Sequence, residues 1–376
     1  MNAWPSIQLG EICSPKQHRT ISGSDLTDAG YPAFGANGQI GFYKTYTHDQ
    51  ETVAITCRGA TCGTVNIVPA YSYISGNAMA LDNLDHTRAD INFLAYSLRF
   101  RGLNDVISGS AQPQITRAPL LGVRILLPPL PEQRRIAAIL DQADALRAKR
   151  REALAKLDEM AQAIFVEMFG ALPAEDRLSF ADGVEEFRYG TSNKSGDGGL
   201  PTLRIPNVVG GAIDLNDMKR VSVTQAELNR LRLKTGDVLF VRTNGNPNYV
   251  GRCAVFTDDI ANSTEYSEEP FIFASYLIRA RLKTKVFDPV FVQSYLSSPD
   301  GRRQLRDVAK TSAGQFNVNT DGLASLRLPN APLGQQKLFA DQIKKIKSSK
   351  VKHFSQLSTL DALFTSLQHR AFSGTL

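Results

Sequence analysis

The sequence contains few of the residues that stabilise small secreted proteins or bind metal ions. Among its 376 residues are four cysteines, five histidines and one tryptophan. The cysteines are Cys13, Cys57, Cys62 and Cys253, and the histidines are His18, His48, His86, His353 and His369. Four unevenly spaced cysteines do not make a disulfide framework, so we expect reduced thiols. The histidines are scattered and give no zinc-site spacing with Cys57 and Cys62, so the sequence predicts no metal site.

The chain also lacks long apolar runs. No window holds 18 or more consecutive apolar residues, and residues 1–10 have neither the cationic head nor the apolar run of a signal peptide. We therefore expect a cytoplasmic protein with no membrane partner. A chain of 376 residues is too long for one ordinary core, and its length predicts two domains with connecting elements.

The positive charge is concentrated at one end of the chain. The formal net charge is +6, and residues 335–376 contain seven basic and two acidic side chains, which is five of the six excess charges. Bulk charge alone therefore does not establish DNA binding. The basic residues of segment 344–352 fit contact with DNA phosphates, a solvated helix face, or pairing with an acidic partner subunit. The sequence leaves these interpretations open.

A single offset of 203 residues relates two halves of the chain. Segments 109–133 and 312–336 share glutamines, leucines and prolines at matching positions without a gap. The matching pairs are Gln112 and Gln315, Leu120 and Leu323, Pro129 and Pro332, and Gln133 and Gln336. One offset over this many positions indicates an internal duplication.

Each half ends in a segment with the apolar periodicity of a long helix. Apolar residues step by three and four between residues 140 and 168, and the pattern recurs 203 residues later. The pattern predicts helices over residues 132–169 and 335–372. The predicted helix–helix packing residues are Leu140, Ala143, Leu154, Leu157, Ala161, Ile164, Ile343, Ile346, Leu357, Leu360, Phe364 and Leu367.

Both apolar stripes are interrupted at corresponding places. Arg147 and Arg150 interrupt the first stripe, and Lys350 and His353 interrupt the second. A shared interruption and a period near 3.5 residues favour two helices that pack against each other as a coiled coil. The alternative is two independent helices, each lying on its own domain.

The parts between the helices show short strand-like runs separated by Gly, Asn, Asp and Pro turns. The runs include residues 52–56, 64–68, 237–241 and 252–256, and helical segments at 91–100 and 290–297 interleave with them. Each part therefore predicts a compact α+β domain with a curled sheet. The predicted segments are a first domain at 1–130, a central helix at 131–170, a second domain at 171–334 and a C-terminal helix at 335–376.

Polar loops in both domains carry side chains that suit DNA. Arginine forks match guanine edges in the major groove, and asparagine or glutamine amides match adenine. In each domain a strand leads into a loop that begins with an arginine, Arg58 in the first and Arg242 in the second. The alternative for any one of these residues is a solvated turn. The candidate DNA-binding residues are Arg19, Asn37, Gln39, Lys44, Arg58, Gln112, Gln114, Arg117, Lys194, Arg242, Asn244, Asn246, Asn248, Lys310, Gln315 and Asn317.

Motifs for catalysis are weak. Residues 246–249 read Asn-Pro-Asn-Tyr, one residue away from the Asn-Pro-Pro-Tyr motif of amino-methyltransferases, but no Gly-x-Gly cofactor loop follows a strand elsewhere. No Walker loop is present. Acidic residues are numerous, and nothing singles out a nuclease centre among them. The sequence therefore predicts a protein that has no catalytic residues and needs no cofactor.

Residues 127–140 read Leu-Pro-Pro-Leu-Pro-Glu-Gln-Arg-Arg-Ile-Ala-Ala-Ile-Leu, and residues 109–115 read Gly-Ser-Ala-Gln-Pro-Gln-Ile. With the two-copy layout, these segments resemble the specificity subunit of type I restriction-modification enzymes. The second copy departs from the motif, because Gly334 and Gln335 stand where the first copy has Pro131 and Glu132.

The resemblance implies two tandem target-recognition domains separated by two long antiparallel coiled-coil helices with pseudo-two-fold symmetry. It implies a non-catalytic subunit that reads a bipartite site on double-stranded DNA, leaving a spacer unread. The implied protein partners are two modification (methyltransferase) subunits and the restriction (motor-nuclease) subunits. Two alternatives are a self-standing or fused methyltransferase or nuclease specificity module, and a paired-domain scaffold without a nucleic-acid role.

Overall fold

A computed structural model of the chain describes residues 4–36, 38–109, 111–173, 175–257, 259–260, 266, 269–312 and 314–376. The chain divides into two compact units. Unit 1 comprises Met1–Glu152 and Ser355–Leu376, and unit 2 comprises Ala153–Phe354. Each long helix thus contributes one part to each unit. The four segments predicted from the sequence divide the chain in another way, and their functional boundaries stay a prediction.

Two helices of 40 residues each dominate the helical content. They are about 60 Å long at 1.5 Å per residue. Both begin two residues before the predicted position and end at the predicted residue. Within the described residues the α-helices are α1 Ile91–Arg101, α2 Arg117–Leu121, α3 Leu130–Phe169, α4 Gln225–Leu231, α5 Pro289–Ser297, α6 Pro299–Asp307, α7 Thr320–Ala324 and α8 Leu333–Phe372. Short 3-10 helices lie at Leu9–Glu11, Gly23–Asp25, Asn104–Val106, Phe180–Gly183 and Ile205–Asn207.

Unit 1 is built around a four-stranded antiparallel sheet. The strands of the whole unit are β1 Ser6–Gln8, β2 Ser14–Gln17, β3 Tyr31–Gly35, β4 Gly38–Tyr43, β5 Thr52–Thr56, β6 Val65–Val68, β7 Tyr73–Ile74, β8 Ala78–Asp82 and β9 Arg124–Leu126. The main sheet has the order β2-β8-β5-β6, and a smaller sheet has the order β4-β3-β7. Strands β1 and β9 pair with each other just before α3 begins. All five residues of β5 are buried, as expected for a central strand.

Unit 2 repeats this plan. Its strands are β10 Arg177–Ser179, β11 Val184–Tyr189, β12 Ser195–Gly196, β13 Leu200–Leu203, β14 Val208–Val209, β15 Ala212–Ile213, β16 Lys219–Val221, β17 Val238–Val241, β18 Thr243–Asn244, β19 Cys253–Val255, β20 Ile272–Phe273, β21 Leu277–Leu282, β22 Lys310–Ser312, β23 Gln315–Asn317 and β24 Arg327–Pro329. The main sheet has the order β11-β21-β17-β19, and β10 pairs with β24 just before α8.

The duplication extends to one buried side chain at the start of each long helix. Gln133 accepts a hydrogen bond from the backbone N–H of Asp90 at 2.8 Å and donates to the carbonyls of Arg88 and Pro128, each at 2.8 Å. Asp90 in turn caps α1, since its carboxylate accepts the N–H groups of the first turn. The buried amide therefore ties the long helix to the cap of a neighbouring helix.

Gln336 makes the same three bonds in unit 2. It accepts from the N–H of Asp288 at 2.8 Å and donates to the carbonyls of Val286 and Ala331 at 3.1 and 2.8 Å. Asp288 caps α5 as Asp90 caps α1. The two glutamines are 203 residues apart, and each satisfies three backbone groups. This shared role explains why a glutamine stands at the same position in both copies of the repeat.

We expect Gln133→Ala to lower the free energy of unfolding by about 2–3 kcal/mol, because the buried N–H and two carbonyls lose their partner. Urea denaturation followed by circular dichroism measures this. The adjacent Arg134→Ala is the control, since Arg134 is exposed and should change stability little. Equal stability of the two variants would show that water replaces the amide without cost.

The predicted helix-packing residues all lie in buried or half-buried positions. In unit 1, Leu140, Ala143 and Phe364 are part of one core, and Leu367 packs against it. In unit 2, Ile343 and Ile346 are part of the core, against which Leu157, Ala161 and Ile164 pack. Leu154 is buried, and Leu357 and Leu360 are half-buried.

In each unit the two helical parts run antiparallel and are joined by an ion pair. In unit 1, Arg147 Nε donates to Asp361 at 2.6 Å, and its guanidinium lies 4.2 Å from the ring centre of Phe364. In unit 2, Lys350 Nζ donates to Asp158 at 2.5 Å. Arg147 and Lys350 are 203 residues apart, and so are Asp158 and Asp361. The interruptions of the two apolar stripes are therefore cross-helix polar contacts.

The α+β fold class with two long helices is confirmed. Aromatic contacts repeat as well, since Phe93 of α1 packs on Phe372 in unit 1 and Phe291 of α5 packs on Phe169 in unit 2. In the part of the chain that the structure describes, no helix combines the length and apolar character needed to cross a membrane.

Candidate nucleic-acid interface

In unit 1 the polar loops meet where β5 ends. The N–H of Gly59 donates to the carbonyl of Pro113 at 3.1 Å, and the backbones of Arg58 and Gln114 form an antiparallel bridge. The hydroxyl of Thr56 donates to the carbonyl of Ala36 at 2.8 Å, which holds the β3–β4 turn beside the same loop. The structure therefore brings three separate segments of the chain to one edge of the sheet.

The candidate side chains at this edge point to solvent. Arg58, Gln112 and Gln114 are exposed, and so is Gln39 just beyond the β3–β4 turn. Asn37 lies outside the described residues. Exposed guanidinium and amide groups on one rigid loop cluster have the chemistry that reads base edges. We define unit 1's loop cluster as residues 35–39, 57–63 and 108–115, with the exception of Asn37 and Ser110, which lie outside the described residues.

In unit 2 a three-stranded sheet in the order β18-β23-β22 occupies the equivalent edge. Asn317 of β23 pairs with Thr243 on one side and with Lys310 on the other. The hydroxyl of Thr243 donates to Gln315 Oε1 at 2.9 Å. We define unit 2's loop cluster as residues 242–250 and 310–317, with the exception of Ala313, which lies outside the described residues.

The structural match between the two clusters shows that their leading arginines, Arg58 and Arg242, do not occupy equivalent positions. The N–H of Ile115 donates to the carbonyl of Cys57 at 3.0 Å, and the N–H of Val318 donates to the carbonyl of Arg242 at 2.9 Å. Arg242 therefore occupies the position of Cys57, and Thr243 occupies that of Arg58. The two leading arginines are therefore offset by one residue. Sequence alone does not align loops of different length, so the offset becomes visible only in the structure.

Several unit 2 candidates already have partners within the domain. The guanidinium of Arg242 lies 4.8 Å from the ring centre of Tyr189 and donates to the carbonyl of Ser275 at 3.3 Å. Asn244 Oδ1 accepts the N–H of Asn246, and Asn246 Oδ1 accepts the N–H of Asn248, both at 2.9 Å. These bonds shape the turn and use the carbonyl oxygens of both side-chain amides.

Four candidates lie outside the two loop clusters. Arg19 and Lys44 both lie near Asp25, whose pKa is lowered first by hydrogen bonds from Ser22 and further by these two cations. Arg117 is exposed at the start of α2, and Lys194 is exposed before β12. No described contact joins these four residues to the clusters.

An arginine-lined cavity in unit 2 was not predicted from the sequence. It has a volume of about 340 Å³ and is lined by Gly210, Gly211, Asn248, Arg252, Cys253, Leu296, Ser297, Arg302 and Arg306. Arg302 donates to the carbonyls of Asn248 and Val250 at 3.1 and 2.8 Å, while its buried Nη1 has no hydrogen-bond partner among the described residues. No local motif marks these arginines, since they come from a loop and from α6.

The Asn-Pro-Asn-Tyr segment forms a turn of the unit 2 cluster. The guanidinium of Arg252 stacks on the ring of Tyr249 at 3.7 Å, and the N–H of Tyr249 donates to the carbonyl of Asn246 at 2.9 Å. Stacking on arginine occupies the tyrosine face that a flipped base would use in a methyltransferase. The geometry therefore favours a structural turn over a catalytic motif.

The comparisons with known proteins agree with the fold. Residues 1–156 match the family described as type I restriction modification DNA specificity domain. Over 263 residues the chain is 28% identical to the type I restriction enzyme EcoKI specificity subunit of Escherichia coli K12, which covers 65% of this chain and 55% of that protein. Over 143 residues it is 32% identical to the EcoprrI specificity subunit of Escherichia coli, covering 37% of this chain and 35% of that protein.

A solved structure shares the architecture. The S subunit of the type I restriction-modification system from M. genitalium superposes with a TM-score of 0.64 over 98% of this chain and 96% of that chain, at 15% identity. The chain spans about half of the EcoKI subunit and about a third of the EcoprrI subunit. The resemblance predicted from the sequence is confirmed.

Proposed function

We propose that this chain is the specificity subunit of a type I restriction-modification complex. Its residues 1–156 match the family described as type I restriction modification DNA specificity domain. The observation that carries the proposal is the repeated module: each unit presents a polar loop cluster at the same edge of its main sheet. A protein in which one domain fold occurs twice suits a DNA target with two half-sites.

Each loop cluster reads one half-site in this proposal. In unit 1 the exposed Arg58 and Gln114 suit guanine and adenine edges, and in unit 2 the half-buried Asn244 and Asn317 carry amide groups of the kind that suits adenine. The remaining candidates, Lys194 and Lys310 among them, suit phosphate contacts that position the duplex without reading it.

The long helices have two tasks in this proposal. They keep the two loop clusters a set distance apart, so that the DNA between the half-sites stays unread. They also dock two methyltransferase subunits, to which the restriction subunits then add. The chain itself contributes recognition and assembly, has no catalytic residues, and acts in the cytoplasm.

Reconstitution with a methyltransferase subunit tests the proposal. Methylated adenines mapped across a genome should reveal one bipartite sequence. Arg58→Ala is expected to weaken binding to that sequence by about 10–100-fold and to relax the preference in one half-site only, because one bidentate contact contributes about 1–3 kcal/mol of discrimination. Asn244→Ala should relax the other half-site.

Arg88→Ala is the matched control for this experiment. Arg88 is also exposed in unit 1, but it donates to the carbonyl of Glu11 at 3.1 Å and touches no loop-cluster segment. Its replacement should leave both half-sites unchanged. If Arg58→Ala and Asn244→Ala altered the same half-site, or if no sequence preference emerged, the assignment of one cluster to each half-site would be wrong.

A further inference from the structure

Three residues from distant parts of the sequence meet at one place in unit 1. His18 follows β2, His48 lies between β4 and β5, and Asp82 ends β8. The Nε2 atom of His48 lies 2.9 Å from Asp82 Oδ1, and the Nε2 atom of His18 lies 3.3 Å from Asp82 Oδ2. One ligand atom from each residue lies within 4.8 Å of the other two. Histidines that are scattered in the sequence are therefore neighbours in space.

Thr47 contacts the ring nitrogen of His48 on the far side from Asp82. The Thr47 hydroxyl lies 2.8 Å from His48 Nδ1, accepts the N–H of Ile74 at 2.9 Å and lies 3.2 Å from the carbonyl of Ser72. A hydroxyl in this position can accept a proton from Nδ1, which leaves Nε2 available as a ligand atom.

His18 presents a second nitrogen to the same carboxylate. Its Nε2 is buried and has no hydrogen bond among the described residues. Both oxygens of Asp82 thus face an imidazole nitrogen, and the two rings meet edge to face with centres 4.9 Å apart. Two imidazole nitrogens and a carboxylate that converge in this way can act together as ligands of one cation.

We propose that His18, His48 and Asp82 bind a divalent transition-metal ion of the Zn²⁺ class. Two imidazoles and one carboxylate make a three-ligand site that leaves a fourth position for water. In a tetrahedral site with bonds of about 2.0–2.1 Å, neighbouring ligand atoms lie about 3.3 Å apart. The 3.3 Å separation of His18 and Asp82 fits this spacing, and that of His48 and Asp82 is shorter by less than half an ångström.

The surroundings of the site fit a metal as well. Thr47 holds the far nitrogen of His48, as outer-shell groups do for metal-bound histidines. The three side chains are 12–16% exposed, so the cluster lies close to the surface of unit 1. A bound ion would fasten the end of β2, the β4–β5 connection and the end of β8 together. The site is separate from the loop cluster and independent of the proposed DNA function.

Metal titration of the untagged full chain tests this proposal, since a histidine tag would itself bind metal. The chain is first treated with a chelator, and Zn²⁺ is then added in competition with a chromophoric chelator. The expected result is one equivalent bound per chain. His18→Gln and His48→Gln should each weaken that binding by more than about 100-fold, because loss of a ligand exceeds the 10–100-fold loss caused by outer-shell changes.

His86→Gln is the matched control, because His86 is exposed in the same unit and should leave the affinity unchanged. Binding of Co²⁺ to the unmodified chain gives a readout that needs no variant, since tetrahedral nitrogen and oxygen ligands produce visible absorption bands. Absence of one stoichiometric Zn²⁺, or binding that persists in both His18→Gln and His48→Gln, would overturn the proposal and leave a proton-linked histidine–aspartate cluster.

Discussion

Arg279→Met is expected to lower the free energy of unfolding by about 3–5 kcal/mol, because it removes one member of a buried charge network. Arg279 lies in β21, the second strand of the main sheet of unit 2, and its side chain is 0% exposed. It is a large, charged and completely enclosed side chain. Such a residue is stable only where its charge and its five N–H groups find partners.

The partners of Arg279 come from three segments. Its guanidinium forms an ion pair with Glu186 of β11 and donates to the carbonyls of Arg230 and Arg232 at 3.1 and 3.3 Å. Burial lowers the pKa of Arg279, and the nearby carboxylate of Asp237 opposes that effect. Methionine fills a similar volume, but Glu186 Oε2 and the carbonyl of Arg230 lose their donor, so most of the cost comes from the groups left behind.

Asp237 keeps its own partner in the variant. Arg281 donates to it at 2.9 and 2.7 Å, and Asp237 accepts the N–H of Lys234 at 2.9 Å. Arg188 still donates to Glu186 Oε1, and Arg281 still donates to the carbonyl of Arg232. The damage should therefore centre on Glu186 Oε2 and on the carbonyl of Arg230 in the last turn of α4. Hydrogen exchange should accelerate in peptides of β11, β17 and β21.

Urea denaturation measures the global effect, and peptide-resolved hydrogen exchange locates it. Arg303→Met is the matched control, since Arg303 also pairs with a carboxylate but is 67% exposed and should change stability little. Wild-type stability of Arg279→Met would mean that the buried network contributes no more than the methionine that replaces it.

The strands and helices were predictable where local pattern and burial agree. The predicted strand at residues 52–56 is β5, and the predicted helix at 91–100 is α1 with one further residue. The long helices were predictable because apolar residues spaced three and four positions apart over about eight turns are typical of an amphipathic helix and not of a strand. Their shared interruption also predicted mutual contact, and the Arg147–Asp361 and Lys350–Asp158 pairs explain it.

The sites were less predictable because their members are distant in sequence. Asp82 lies 64 residues from His18, and no spacing rule joins them, so the cluster with His48 appears only after the strands pair. Gln133 was visible as a repeated residue, but its three hydrogen bonds depend on where α1 begins. The loops were identified by composition, whereas their one-residue offset needed the backbone bonds of Cys57 and Arg242.

Lengthening both long helices by one heptad is expected to lengthen the DNA spacer by about three base pairs. Seven residues inserted after Glu152 and seven after Ser355 lie at positions 203 residues apart, and they add about 10 Å at 1.5 Å per residue. Base pairs are 3.4 Å apart along the duplex. Insertions of seven keep the apolar stripe in phase, so the packing of Leu140 and Phe364 on one side and of Leu157 and Ile346 on the other is preserved.

The preferred half-site sequences should remain unchanged, because neither loop cluster is altered. Affinity should fall, since three base pairs turn the second half-site by about 100° on a duplex of about 10.5 base pairs per turn, whereas a heptad turns the helix by only about 20°. Selection of bound sequences from a library with random spacers measures both the length and the strength of binding.

Three heptads in each helix provide the decisive comparison. They add about 31 Å, which corresponds to about nine base pairs and brings the second half-site back toward its original face of the duplex. Binding should therefore recover relative to the one-heptad variant while the spacer becomes longer still. Insertions of five residues rotate the stripe out of phase and should unfold the helices instead. A spacer that stayed constant in folded one-heptad and three-heptad variants would show that the helices do not set the distance between half-sites, and the two loop clusters would then have to be positioned by partner subunits.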